Sequence, residues 1–175
     1  MLINLSEILS NELKKEHYEC EIVMNEFSYC GMEYPLTEKS LVVMDIEQAD
    51  KRKIRVNGSF SVCMVIPCDR CLEDVPKNFS ITFDKILDFS EDEEESEENL
   101  MKLSFAEGAE LDVDVLVYDE LLTALPMKVL CDTECKGLCP VCGTNRNQTS
   151  CTCNTKVPDP RMAAIRDIFN KSKEV

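Results

Sequence analysis

The sequence contains no tryptophan, a single histidine and five glycines in 175 residues, and aromatic residues make up only 6% of it. A core built from it must be aliphatic. With one histidine, His17, the multi-imidazole ligand sets of many catalytic zinc sites are excluded, and His17 itself reads as a surface or structurally satisfied residue. There is no Gly-rich loop to cradle phosphate and no nucleophile elbow. The His-x-Glu and Pro-Cys-x-x-Cys pattern of deaminases is absent too. These absences point away from an enzyme and predict no small-molecule substrate. No apolar run nears the roughly 20 residues that cross a bilayer, so no membrane partner is expected. The first nine residues are broken by Asn4, Ser6 and Glu7 and lack a basic start, unlike a secretory signal. The expected location is the cytoplasm, where disulfides rarely persist.

Positive charge is also scarce. Nineteen Lys and Arg face 34 Asp and Glu, for a formal net charge of −15. The imbalance is uneven: residues 1–125 carry 11 basic and 29 acidic groups (−18), whereas residues 126–175 carry 8 and 5 (+3). So acidic a body repels a phosphate backbone, and a basic protein partner suits it better than naked nucleic acid. Residues 91–98 hold seven carboxylates and no apolar side chain. Such a run reads as a solvated, disordered loop, with a tail for a basic partner as the functional alternative.

What the chain does contain is β-patterned sequence followed by cysteine. Residues 6–15 read as a short helix or turn with Ser6 as its cap. From about 17 to 88, Glu21–Phe27, Leu41–Ile46, Lys53–Ile66 and Asn78–Asp84 are rich in β-branched residues, and several alternate as half-buried antiparallel strands do. Gly31 with Pro35, and Asn57-Gly58, supply turn or bulge chemistry. Val113, Val117, Leu121 and Leu125 recur every four residues, which predicts an amphipathic helix over about 112–125, capped by Asp112 or Asp114 and ended by Pro126. Asp159-Pro160 opens a last helix over about 160–171, whose apolar face is Met162, Ile165, Ile168 and Phe169. The expected fold class is α+β: a curved antiparallel β-sheet, a partial barrel, with packing helices and a C-terminal Cys-rich zinc module. The expected division is a β-rich body over 1–128 and a zinc-binding module over 129–175.

Eleven cysteines in a reducing compartment need an explanation. Cys20, Cys30 and Cys63 stand alone on apolar stretches and read as small buried hydrophobes. The other eight form four close pairs: Cys68/Cys71, Cys131/Cys135, Cys139/Cys142 and Cys151/Cys153. Structural zinc takes four soft ligands in a tetrahedron, often from cysteines two to four residues apart. A two-residue gap lets one turn aim both sulfurs at one ion, and Gly143 after Cys142 permits the tight backbone of such a knuckle. Four pairs make two sites of four cysteines each. Cys139, Cys142, Cys151 and Cys153 enclose the polar loop 143–150 and make a local site. Cys68 and Cys71 follow a strand end, and Cys131 and Cys135 follow the helix ending at Pro126, so these four make the second site and staple the C-terminal segment to the sheet. Closing a loop of that length costs only logarithmically more than a short one. The same ligands also suit iron, and Cys68 with Cys71 could alternatively serve as a cytosolic redox-responsive or metal-responsive pair, although no βαβ pattern surrounds them.

Several motifs occur together and in order: Cys68-Asp-Arg-Cys71-Leu-Glu, Glu120-Leu-Leu-Thr-Ala-Leu-Pro-Met-Lys128, Cys135-Lys-Gly-Leu-Cys-Pro-Val-Cys-Gly-Thr-Asn145, and Cys151-Thr-Cys153 with Asp159-Pro-Arg161. Over nearly its full length the chain resembles the YceD family, the large ribosomal RNA subunit accumulation proteins of bacteria and plastids. The resemblance implies a role in accumulation of 23S ribosomal RNA and in large-subunit assembly, with a large-subunit ribosomal protein or pre-23S rRNA as partner. Relatives that keep only the first Cys-x-x-Cys and a His/Cys pair after the Leu-Pro helix imply that Cys68, Cys71, Cys131 and Cys135 act as one site. Arg146 departs from the Leu common in the family. If the partner is RNA, Lys128, Lys136, Arg146, Lys156, Arg161 and Arg166 are the candidate contacts, each equally readable as ordinary surface charge.

Overall fold

The computed structural model describes residues 1–10, 14–50, 52–89, 106–107 and 109–154, together with 162, 165, 168 and 169. They divide into two compact units. The first comprises Met1–Pro67 and Asp74–Val129, and the second Cys68–Glu73 and Leu130–Val175.

The first unit is mostly antiparallel β-structure. Its larger sheet contains β2 (Lys15–Cys20), β3 (Glu26–Tyr29), β4 (Met32–Lys39), β5 (Val42–Asp50), β6 (Lys53–Pro67) and β7 (Asp74–Asp88). The strand order is β2-β5-β6-β4-β3, with β7 also on β6. β7 pairs with β6 along all of its length, from Lys53↔Asp88 to Pro67↔Asp74. The other edge of β6 is shared: residues 53–59 pair with β5 and residues 62–64 with β4. The sheet is not closed into a barrel, so the partial barrel of the sequence reading is not confirmed. A second sheet joins β1 (Leu2–Asn4), β9 (Glu110–Asp112) and β8 (Ala106–Glu107).

Period-two patterning decides which face of the large sheet is dry. In β6, Ile54, Val56, Phe60, Val62, Met64 and Ile66 are buried; in β7, Phe79, Ile81, Phe83 and Leu87 are. Gly58 occupies the inward series of β6. A Cβ there would lie 2.4 Å from the Val43 carbonyl oxygen and 2.8 Å from both Met44 Cβ and Phe83 Cζ. Asn57-Gly58 is therefore mid-strand, not a turn; glycine is there because the neighbouring strand leaves no room for a side chain. The real hairpin turn is Cys30-Gly31, with both φ positive (51° and 79°) between the paired Tyr29 and Met32, the twist a two-residue hairpin prefers. Cys30 is accordingly exposed, whereas Cys20 and Cys63 are buried as expected.

Among the described residues, two helices pack on this core. α1 is the single turn Ser6–Leu9, and Ser6 does not cap it: Leu5 is the N-cap residue, and the Ser6 N–H donates to Asn4 Oδ1 at 2.9 Å. α2 spans Val113–Ala124, with Asp112 as N-cap accepting from the Asp114 N–H at 3.0 Å. It buries Val113, Leu116, Val117 and Leu121, and also Glu120. The Glu120 carboxylate meets Lys85 Nζ at 2.7 Å, and Lys85 takes the inward position of β7 between Phe83 and Leu87. No helix of the described residues is long and apolar enough to cross a membrane.

In the second unit, residues 130–154 are held by turns and one isolated bridge, Leu138↔Asn145. The acidic run 91–98 lies outside the described residues. So does the last helix at 160–171, apart from Met162, Ile165, Ile168 and Phe169, which are exposed.

Candidate metal centres

Two groups of four cysteines lie in the second unit: Cys68, Cys71, Cys131 and Cys135, and Cys139, Cys142, Cys151 and Cys153. Within each group all the sulfurs lie within 4.8 Å of one another. Both groups are presented by the same local device. In the first, the Leu72 N–H donates to the Cys68 carbonyl at 2.9 Å and the Cys68 N–H to the Glu73 carbonyl at 2.8 Å. In the second, Gly143 and Cys139 repeat those bonds at 2.9 Å each, to Cys139 and Thr144. The residue after each second cysteine is left-handed, Gly143 at φ 72° and Leu72 at φ 61°. That turn reverses the chain and leaves the N–H groups of the Cys-x-x-Cys segment facing the sulfurs. Gly143 accepts the conformation freely, whereas Leu72, two-thirds exposed, holds it against the preference of a branched side chain.

The sulfur geometry fits a tetrahedral ion. With Zn–S bonds of about 2.3 Å, the edges of a tetrahedron are about 3.8 Å long. Sγ of Cys68 and Cys135 are 3.8 Å apart, and Sγ of Cys71 and Cys131 are 3.4 Å apart. These separations are far beyond a disulfide bond of about 2.05 Å. Cys68, Cys71, Cys135 and Cys139 are buried, Cys151 and Cys153 half-buried, and Cys131 and Cys142 exposed. Each group of four could hold a metal ion.

The electrostatics of each group are those of thiols too close to ionise together. Burial pushes the Cys68 thiol up, but hydrogen bonds from the backbone of Arg70, Cys131 and Cys71 outweigh it and bring the pKa down to about 6. The Asn147 amide lowers Cys135, and the backbone N–H groups of Cys142 and Val141 lower Cys139. The Thr144 hydroxyl and N–H bring Cys142 down to about 6. Against these, the Cys142 sulfur pushes Cys153 up to about 12. At Cys71 the Glu73 N–H favours the thiolate, yet burial and the surrounding sulfurs prevail and raise the pKa. Some thiols are thus prepared for ionisation while their neighbours resist it, and a divalent cation relieves that conflict by neutralising the shared charge.

Residues beyond the cysteines complete the first group. Arg70 Nη1 donates to the Cys135 carbonyl at 2.7 Å, and the Leu138 N–H donates to the Arg70 carbonyl at 2.9 Å. Gly137, at φ 70°, lets these segments meet: a Cβ there would lie 2.8 Å from the Arg70 oxygen. Asn147 donates from Nδ2 to Cys135 Sγ at 3.2 Å, and Gln148 bonds the Glu73 carboxylate. Sequence reading passed over Arg70, Gly137, Asn147 and Gln148 as site residues. The polarity of loop 143–150 was the one available signal.

His17 lies on β2 opposite Asp45, exposed, with Nδ1 2.7 Å from Asp45 Oδ1; that hydrogen bond raises its pKa. Lys128, Lys136 and Arg146 are at least partly exposed, and Lys156, Arg161 and Arg166 lie outside the described residues.

No solved structure matches the chain. It is 27% identical over 130 residues to the Bacillus subtilis protein named Uncharacterized protein YlbN, a match covering 73% of this chain and 74% of that one. It is 27% identical over 135 residues to the Arabidopsis thaliana chloroplastic large ribosomal RNA subunit accumulation protein YCED homolog 1, covering 62% of this chain and 42% of the relative. The Zea mays homolog 1 is 26% identical over 144 residues, 66% of this chain and 49% of the relative. The chain therefore spans under half the length of the plant relatives it matches. The family model described as large ribosomal RNA subunit accumulation protein YceD matches residues 56–169, a stretch that takes in most of β6, all of β7 and α2, and all eight clustered cysteines. On that match, the chain belongs to the YceD family.

Proposed function

We propose that this chain is a non-enzymatic zinc-binding factor that supports accumulation of 23S ribosomal RNA and assembly of the large ribosomal subunit, in the cytoplasm. The observation that carries the reading is the pair of all-cysteine cages inside the span that matches a family named for large ribosomal RNA accumulation. Cys68, Cys71, Cys131 and Cys135 would hold one zinc ion, and Cys139, Cys142, Cys151 and Cys153 the other. Four thiolates per ion leave no open coordination position, which suits a structural metal rather than a catalytic one. Bound there, zinc supplies folding free energy to a segment with little apolar burial of its own. The division into a body over 1–128 and a zinc module over 129–175 belongs to the same proposal. The partner is a basic large-subunit ribosomal protein or pre-23S rRNA. The excess of acidic groups before residue 126 favours the former, and Lys136 and Arg146 on the second unit would be the contacts of the latter.

The redox alternative needs Cys68 and Cys71 to work as a dithiol pair. The sulfurs of Cys68, Cys71, Cys131 and Cys135 all lie within 4.8 Å of one another, which supports a cage of four thiols over an isolated dithiol pair. Two measurements test the proposal. Elemental analysis of the purified chain is expected to give two zinc ions per chain and no colour; a coloured iron protein would refute the zinc assignment. Depletion is expected to lower large-subunit RNA relative to small-subunit RNA on sucrose gradients, and an unchanged ratio would refute the ribosomal role. Capture from lysate with and without RNase then separates a protein contact from an RNA contact.

A further inference from the structure

The loop of the second cage touches the first. Residues 143–150 contain no apolar side chain, so only hydrogen bonds and closure of the loop's ends offset the entropy of ordering it. Those ends are Cys142 and Cys151, both members of the second cage. Within the loop, the Arg146 N–H donates to the Gly137 carbonyl at 2.9 Å. Asn145 receives the Thr149 N–H on its carbonyl and the Asn147 N–H on its Oδ1, each at 3.0 Å. This frame carries the Asn147 side chain to Cys135, a member of the first cage. The Lys136 N–H donates to Asn147 Oδ1 at 2.7 Å. A backbone N–H can donate only to the amide oxygen, so the amide orientation is determined and Nδ2 must face the sulfur, 3.2 Å away.

We propose that Asn147 is a positioning residue coupling the two cages: closing the second cage holds its amide against Cys135 Sγ and thereby tightens metal binding in the first. The inference rests on the metal reading above and adds to it a direction of communication. Hydrogen bonds from outside the ligand set orient a coordinating group and spread its charge, and their loss characteristically weakens metal binding about 10- to 100-fold. Gln148, bonded to Glu73 in the hairpin connection that carries Cys68 and Cys71, adds a second link from the same loop to the same cage.

The test uses the full chain loaded with cadmium-113 and observed by NMR, with a competing chelator to measure affinity. Two resonances are expected, and Cys68→Ser identifies the one from the first cage. Asn147→Asp keeps the acceptor for Lys136 and removes the N–H donor. It is expected to move the first-cage resonance, leave the second in place, and weaken the first cage about 10- to 100-fold. Opening the second cage with Cys139→Ser and Cys142→Ser should weaken the first by a similar factor in the wild-type chain and no further in the Asn147→Asp chain. The coupling is overturned if Asn147→Asp leaves first-cage affinity unchanged, or if opening the second cage costs the same in both backgrounds. Loss of the second resonance in Asn147→Asp would also overturn it, by assigning the residue to loop folding. A wild-type chain that takes up no cadmium refutes the metal reading itself, a distinct result.

Discussion

Gly137 offers the sharpest check on the first cage, because Gly143 provides a matched control. Both glycines are left-handed, at φ 70° and 72°, so alanine at either incurs the same backbone penalty of about 1–2 kcal/mol. Their surroundings differ. A Cβ on Gly143 meets nothing within 4 Å, whereas a Cβ on Gly137 lies 2.8 Å from the Arg70 carbonyl oxygen and 3.3 Å from Arg70 Cβ. That oxygen accepts the Leu138 N–H at 2.9 Å, and it cannot retreat without stretching this bond, which contributes about 1 kcal/mol. Arg70 also holds the Cys135 carbonyl, so its displacement reaches a member of the cage. Gly137→Ala should therefore cost about 2–4 kcal/mol and Gly143→Ala about 1–2 kcal/mol. When folding and metal binding are one equilibrium, that loss appears as weaker metal affinity, at tenfold per 1.4 kcal/mol. Chelator competition on the two variants, with the cages distinguished by Cys68→Ser and Cys139→Ser, should show a markedly greater first-cage loss in Gly137→Ala than second-cage loss in Gly143→Ala, by about tenfold. Equal losses would refute the close approach of Arg70 to Gly137.

Three further outcomes concern the β-rich unit. Gly58→Ala should destabilise it by about 3 kcal/mol, since the added methyl meets the Val43 carbonyl at 2.4 Å and the central strand must shift; a urea midpoint equal to wild type would contradict the inward placement of residue 58. Lys85→Met leaves the buried Glu120 carboxylate without its ammonium, at a cost of about 1–3 kcal/mol. Adding Glu120→Gln should recover much of that loss, and strictly additive losses would show that the two side chains do not interact. Burial would raise the Asp114 pKa, but hydrogen bonds from the Met1 ammonium and the Val23 and Met24 N–H groups outweigh it and depress the carboxyl. Its folded pKa lies below the unfolded value of about 3.9. Its contribution is therefore fully present above that value and disappears as pH falls through the depressed one. The stability difference between wild type and Asp114→Asn should be constant near neutrality and shrink towards zero in strong acid; a difference growing with acidity would reverse the assignment.

Local chemistry made much of this molecule legible without coordinates. The Cys-x-x-Cys pairs and Gly143 announce knuckles because a two-residue gap and a left-handed residue are properties of a few adjacent bonds. Alternation announces β5, β6 and the middle of β7, and the Asp112 cap with its four-residue apolar row announces α2, because burial imposes its period directly on the chain. The acidic imbalance and the mainly aliphatic make-up of the core likewise follow from composition, although Phe27, Tyr34, Phe60, Phe79 and Phe83 are also buried in it.

Other features are decided only where distant segments meet. β4 has little signal in the sequence because Glu33 and Pro35 flank Tyr34 and only Tyr34 and Leu36 point inward, and pairing with β3 and β6 organises it. Gly58 reads as turn or bulge chemistry because glycine tolerates a sharp bend and a crowded strand equally well; the crowding comes from Val43, Met44 and Phe83, far away in sequence. Cys30 looked buried for want of knowing that it tops a hairpin, and Glu120 gave no sign of burial until Lys85 was placed against it. The gathering of Cys68 and Cys71 with Cys131 and Cys135 had a rationale in the sequence, yet it exists only because the β6–β7 connection folds together with the segment after α2. The roles of Arg70 and Gly137 carry no local signal, and that of Asn147 only the polarity of its loop. Each depends on one hydrogen bond or one close approach between segments apart in the chain, and contacts of that kind exist only once the chain has folded.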